Sequence, residues 1–223
     1  MEDGNVMIDI LYEDNHLLVV SKPINVPVQS DISGDEDLLS ILKKYLKDKY
    51  NKPGNVYLGL VHRLDRPVGG LMVFAKTSKA ASRLSKEIRD KMFNKVYYAV
   101  VLGNIKNSDI FVDKLYKDRV RNISYVSDKG LVSKLSYEKI GYKDGFSLVR
   151  INLETGRSHQ IRVQFSSRGF PLYGDQKYNK KAVKAPIALF AGKLEFVHPT
   201  TKEVMSFSLP LPDRYPFNLF KWL

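Results

Sequence analysis

Apolar residues in this chain come in short runs separated by turn formers, and only a few stretches carry them at helical spacing. Ile8 to Tyr12 and Leu17 to Ser21 read as two strands about a turn at Asp14-Asn15, and Lys22-Pro23 ends the second. Residues 24–36 hold Pro27, Gly34 and scattered acids and read as a loop. Asp37 then suits a helix N-cap, and Leu38, Leu39, Leu42, Tyr45 and Leu46 follow at helical spacing with lysines opposite. That helix is expected to end near Tyr50. Val56 to Leu60 reads as a short strand and Leu71 to Ala75 as an apolar one. Thr77 or Ser78 suits the cap of a second helix over about Lys79 to Lys91. Lys95 to Leu102 is β-branched and aromatic, and Gly103 ends it.

Residues 104–130 are polar and irregular and read as loops that could include a hairpin. Ser133 to Tyr142 and Phe146 to Leu153 alternate apolar and polar positions around Lys143-Asp144-Gly145, a hairpin signal. Ser158 reads as the cap of a third helix to about Ser167, with Gly169 past its end. Ile187 to Phe196 and Val204 to Leu209 read as closing strands, followed by an exposed aromatic tail from Tyr215 to Trp222. Strands outnumber helices, and hairpin-length turns join several of them. The expected fold class is therefore α+β, with a mostly antiparallel mixed central sheet and flanking helices. A single domain over 1–223 is expected, with 104–130 as the nearest thing to a seam between two lobes.

Charge adds the first functional constraint. Thirty-six Lys and Arg against 24 Asp and Glu leave a net +12, an excess that attracts polyanions and weakens with salt. Solvated surface explains Lys43-Lys44 and Lys180-Lys181. It explains Arg63, Arg66, Arg157 and Arg162 less well, because these sit in turn-like or helix-start segments where a planar guanidinium can meet phosphate or carboxylate. The chain has no cysteine, which excludes disulfides, cysteine-based zinc fingers and thiol catalysis. No run approaches a membrane span, and the acidic start Met1-Glu2-Asp3 lacks the layout of a signal peptide. A cytoplasmic, monomeric protein is expected.

Two segments concentrate chemistry. In Val61-His62-Arg63-Leu64-Asp65-Arg66-Pro67-Val68-Gly69-Gly70 a lone carboxylate sits among cations on a Pro/Gly-shaped stretch. Nearby cations keep a carboxylate ionised, which makes Asp65 a poor general acid but a competent nucleophile, stabiliser or weak base. By itself the string also suits a surface ion pair on a turn. His62 suits a structural role, shaping the loop through a ring N–H. The second segment, Leu153-Glu154-Thr155-Gly156-Arg157-Ser158-His159-Gln160-Ile161-Arg162, runs from a strand end through a glycine turn into a helix start, where anions bind readily. A plain turn and cap account for Gly156 and Ser158, but not for the arginines.

HRLDRPVGGLMVFAKT, TGRSHQIRV and ILYEDNHLLVVSKP, with KVYYAVVLG and PLYGDQKY, together resemble the RluA-type family of RNA pseudouridine synthases, in the family's order from Ile8 to Leu209. The resemblance implies a pseudouridine synthase fold with a central catalytic cleft. It also implies isomerisation of uridines in rRNA or tRNA to pseudouridine, with no cofactor and no metal. By motif position it makes Asp65 the catalytic aspartate and Tyr97 the tyrosine that packs on the target base and aids the last proton transfer. Arg162 becomes the arginine paired with the aspartate, and Arg63 the residue that fills the stack where the base has left. His62, Arg66, Arg157 and Lys95 join Arg63 as expected RNA-binding residues. Val68-Gly69-Gly70 departs from a frequent Thr-Ser-Gly, so two hydroxyls are missing. The pattern starts near residue 8, and RNA is expected to be gripped by this domain alone. A catalytically silent RNA-binding relative would be free to lose Asp65, Tyr97 and Arg162, and all three are kept. A nucleic-acid hydrolase would want paired carboxylates or a metal cluster, and His16, His62, His159 and His198 lie in unrelated segments.

Overall fold

The computed structural model describes residues 7–221. Eleven strands and three α-helices make an α+β fold, and every pairing whose register is given below is antiparallel. The chain forms two compact units. The first comprises residues up to Phe93 together with Glu195–Phe207, and the second comprises Asn94–Leu194 together with Ser208 onward. Residues 104–130 therefore lie inside the second unit. Among the described residues no helix is long and apolar enough to cross a membrane.

In the first unit β1 (Asp9–Glu13) pairs with β2 (Leu17–Lys22), β2 pairs with β4 (Gly69–Ala75), and the short β3 (Gly59–Leu60) pairs with β4 as well. Every residue of β4 is buried, as are Leu17 to Val20 of β2. Such near-continuous apolar strands are covered on both faces. Register sets Lys22 opposite Gly70, so the end of β2 faces the close of the Asp65 loop. Gly70 has φ +117, a conformation that glycine alone adopts freely. Helix α1 (Leu38–Lys49) starts on Asp37, whose carboxylate accepts from the Ser40 N–H at 3.0 Å, and buries the stripe Leu38, Leu42 and Leu46. Helix α2 (Ser78–Arg89) starts on Thr77 in the same way.

Glu13 ties this unit together at one end. Its carboxylate meets Lys49 at 2.7 Å, Lys76 at 2.8 Å, the Tyr50 hydroxyl at 2.6 Å and the Tyr45 hydroxyl at 2.9 Å. Burial by itself would raise its pKa. These four donors more than offset that and hold it down at about 2.

In the second unit the strand order is β5 (Asn94–Leu102), β9 (Phe146–Leu153), β8 (Leu131–Lys143), β6 (Ser108–Asp118) and β7 (Ile123–Val126). The β8–β9 hairpin turns on Asp144 and Gly145, with φ 52 and 81, the two positive values a tight hairpin turn needs. The 104–130 stretch, expected to be loop that could include a hairpin, holds the eleven-residue β6 and its hairpin partner β7. Phe111 and Leu115 are the buried positions that fix β6, and the half-buried acid Asp113 between them breaks the apolar alternation. Strand β10 (Leu189–Val197) spans the division between the units, and β11 (Val204–Ser208) pairs with it.

Two local expectations need correction. Helix α3 is Gln160–Ser166, only seven residues, and Ser158 does not cap it. His159 precedes it in the left-handed region at φ 55, and no side chain caps the helix. The Gln160 side chain instead ties the preceding turn, accepting from the Arg157 N–H at 3.1 Å and the Thr155 hydroxyl at 2.7 Å. A helix of about two turns with that entry carries little dipole at its start. The aromatic tail is not free either. Phe217 and Phe220, in a short 3₁₀ turn, are buried with Val100, Leu148 and Ala188 inside the second unit. Trp222 lies outside the described residues.

Candidate active site

The Asp65 loop belongs to the first unit and is braced from below. The Asp65 carbonyl accepts from the Val68 N–H at 2.9 Å, closing a turn over Arg66-Pro67. Lys22, only 1% exposed, reaches under this turn, and its Nζ donates to the carbonyls of Arg66 at 3.0 Å and Pro23 at 2.8 Å. Burial pushes the Lys22 ammonium down to about 7, while the Asp65 charge pulls it up and Arg66 pushes it down. Gly69 passes so close to this region that an added Cβ would lie 3.1 Å from the Lys22 carbonyl and from Ile24. Close packing against the Lys22–Ile24 backbone thus accounts for a glycine where a hydroxyl residue is frequent.

The flanking motif residues divide. His62 Nε2 accepts from the Val73 N–H at 3.1 Å and so extends the β3 ladder along β4. Through this nitrogen the ring ties the loop to β4 as an acceptor. Arg63 is exposed. Arg66 is committed within the unit: Nε donates to the Asn25 carbonyl at 3.1 Å, Nη1 to Ser33 at 2.8 Å, and the guanidinium pairs with Asp35 and, at 3.5 Å, with Asp31. It holds the 25–35 loop against the Asp65 turn.

The second unit carries Lys95, Tyr97, Arg157 and Arg162. Tyr97, on β5 opposite Ile151, is 7% exposed. Its neighbour Tyr98 packs onto Gly192 and the Phe217–Phe220 cluster, so the two rings leave β5 on opposite faces. Lys95 is half-buried, and burial lowers its pKa; its Nζ lies 3.5 Å from where a Cβ on Gly156 would stand. Arg157 is exposed, with Nε donating to the Val132 carbonyl at 3.2 Å.

Arg162 is 5% exposed. Its Nε and Nη2 donate to the two oxygens of Asp175 at 2.9 and 2.7 Å, a bidentate fork whose carboxylate is 1% exposed. The guanidinium also lies over the Tyr178 ring, 5.2 Å from its centre. The Tyr178 hydroxyl accepts from the Ser124 N–H at 2.8 Å and lies 2.6 Å from His159 Nδ1. Reading the sequence found Arg162 but assigned no role to Lys22, Asp175 or Tyr178. Asp175 and Tyr178 stand in the PLYGDQKY block, and an acid within a resemblance block was the available signal.

A family model described as RNA pseudouridylate synthase matches residues 16–167. The "Ribosomal large subunit pseudouridine synthase D" of Pseudomonas aeruginosa is 33% identical over 95% of this chain and 70% of its own length. The "Uncharacterized RNA pseudouridine synthase YlyB" of Bacillus subtilis is 36% identical over 92% of this chain and 70% of its own length. Among solved structures, human RNA Pseudouridylate Synthase Domain Containing 4 superposes with a TM-score of 0.78 over 95% of this chain and 91% of that one; at 22% identity this shows a shared fold. With a family match over most of the sequence and relatives alike along nearly all of it, the chain belongs to the RNA pseudouridylate synthase family, as an RluA-type enzyme.

Proposed function

We propose that this enzyme converts uridines of large-subunit ribosomal RNA to pseudouridine, with Asp65 as the group that acts on the ribose. The observation that carries the reading is the build of the Asp65 loop. A half-buried carboxylate stands on a turn braced by a buried lysine, within the segment that resembles the family's catalytic block. The Pseudomonas aeruginosa relative, by name a large-subunit ribosomal pseudouridine synthase, supports the choice of RNA. The net charge of +12 supports a polyanionic substrate, and the reading places the enzyme in the cytoplasm with its RNA.

The reaction breaks the bond from ribose to the uracil nitrogen, rotates the base while it is held, and rejoins it through a ring carbon that then gives up its proton. An ionised Asp65 serves either route to that end. It can attack the anomeric carbon to form an ester, or it can support a glycal route by removing the proton of the neighbouring sugar carbon. Arg162, held rigid by Asp175, is the cation that aims the Asp65 carboxylate in this reading. Tyr97 packs on the base and assists departure of the last proton. Arg63 and Arg157, exposed and cationic, suit the everted nucleotide's vacated stack and the RNA backbone.

Transcribed large-subunit rRNA carrying tritium at carbon 5 of its uridines tests the reading. The enzyme should release label to water up to a fixed number of sites, and pooled transfer RNA transcripts should release less. Tight binding of both RNAs with no label released would leave an RNA-binding protein without the activity.

A further inference from the structure

The second unit holds a cavity of about 600 Å3 between the β6–β7 hairpin, the turn leading into β8 and the segment before α3. That volume falls within the ~300–1,000 Å3 usual for ligand sites. Four cations line it, namely Lys117, Arg119, Lys129 and Arg157, against the one carboxylate of Asp118. Arg119 and Lys129 are exposed, and neither makes an ion pair among the described residues. The shape is built: an added Cβ on Gly130 would lie 2.3 Å from the Leu115 backbone, so only glycine lets that turn close on β6.

Beside the cavity Tyr116 and Tyr125 face one another across the β6–β7 pair, rings 5.5 Å apart, and remain 41% and 46% exposed. Paired exposed tyrosines next to cations form a platform on which an unpaired base stacks. We propose that this cavity and its tyrosine pair dock a single-stranded stretch of the RNA, phosphates among the four cations, a base against Tyr116 and Tyr125. The proposal rests on the RNA-modifying function and adds a second point of grip. An acidic peptide would use the cations but would leave the tyrosines without a partner suited to stacking, so RNA is the occupant favoured. The cavity also shares a support with the motif arginine, because the Ser124 N–H bonds the same Tyr178 over which Arg162 lies.

The test is binding of a fluorescein-labelled twelve-residue oligouridylate to the full chain between 50 and 300 mM salt. The variant is Arg119→Glu with Lys129→Glu. The control, Lys106→Glu with Lys143→Glu, makes the same charge change at exposed sites outside the cavity lining. The cavity variant should bind at least about tenfold more weakly than the control. Its log–log salt slope should fall by about 1.4, two single-strand phosphate contacts. Tyr116→Ala should lose about fivefold or more. Matching melting curves establish that each variant is folded. Equal affinities and slopes for variant and control would overturn the proposal. So would unchanged oligouridylate binding with lost binding of poly-glutamate, which would make the cavity a site for acidic protein. Tritium release by the wild-type enzyme, measured alongside, separates failure of this proposal from failure of the function itself.

Discussion

Each motif segment carries one arginine locked onto carboxylate and one at the surface, yet the two locks differ in kind. Arg66 joins Asp31 and Asp35 where both partners stay well exposed to water, and water screens most of what such a pair gains. Arg162 and Asp175 are almost wholly buried and bonded in a planar fork. There, losing one partner breaks a charge pair in a dry interior. The first lock tacks down a loop, whereas the second fixes the position of a guanidinium. Position in a motif therefore does not say what an arginine does; the water around it does.

The sharpest way to break this contrast is to neutralise each acid. Asp175→Asn should lower unfolding free energy by about 3–5 kcal/mol, the cost of breaking a buried ion pair, read by urea titration. Asp35→Asn should cost less than about 1 kcal/mol in the same titration. Equal effects would abolish the distinction. Glu13 lies between these extremes. It is 7% exposed and pairs with one buried and one exposed lysine, so Glu13→Gln should cost about 2 kcal/mol. Because its folded pKa lies near 2, below the usual 4.5, its contribution is complete above about pH 4.5 and fades as pH falls toward 2. Wild type and variant should therefore converge in stability across that acid window.

Lys22 acts in the same direction at the other end of the pH axis. Its folded pKa of about 7 lies below the 10.5 of the unfolded side chain, so between those values the unfolded chain binds the extra proton. Stability attributable to Lys22 should rise with pH from about 7 to 10.5, and Lys22→Met should remove that slope. The same variant should remove an inflection near pH 7 from the kcat/KM profile, since the charge beside Asp65 no longer titrates.

Much of this molecule is written locally. The β8–β9 hairpin follows from Asp144-Gly145 between alternating strands, and both α1 and α2 begin at capping residues visible in the sequence. What escaped reading is long-range or hidden in amphipathic side chains. Lys22 looks like any surface lysine, and nothing in its neighbourhood says that its stem runs under a turn 44 residues away. Asp175 meets Arg162 from an irregular segment that carries no periodicity to align. Phe217 and Phe220 look like a frayed end until Val100 and Leu148 close over them. Of the candidate site, the Asp65 loop and Arg162 were legible as motifs, while the groups that hold them rigid were not.

The central claim is that Asp65 acts on substrate and the Arg162–Asp175 fork holds the scaffold. Single-turnover tritium release by Asp65→Asn, at a temperature where the variant is folded and binds RNA as the wild type does, addresses it directly. Release should fall by at least about 10³-fold, with the melting temperature within a few degrees of wild type. Label released by the folded variant at the wild-type rate would contradict the account.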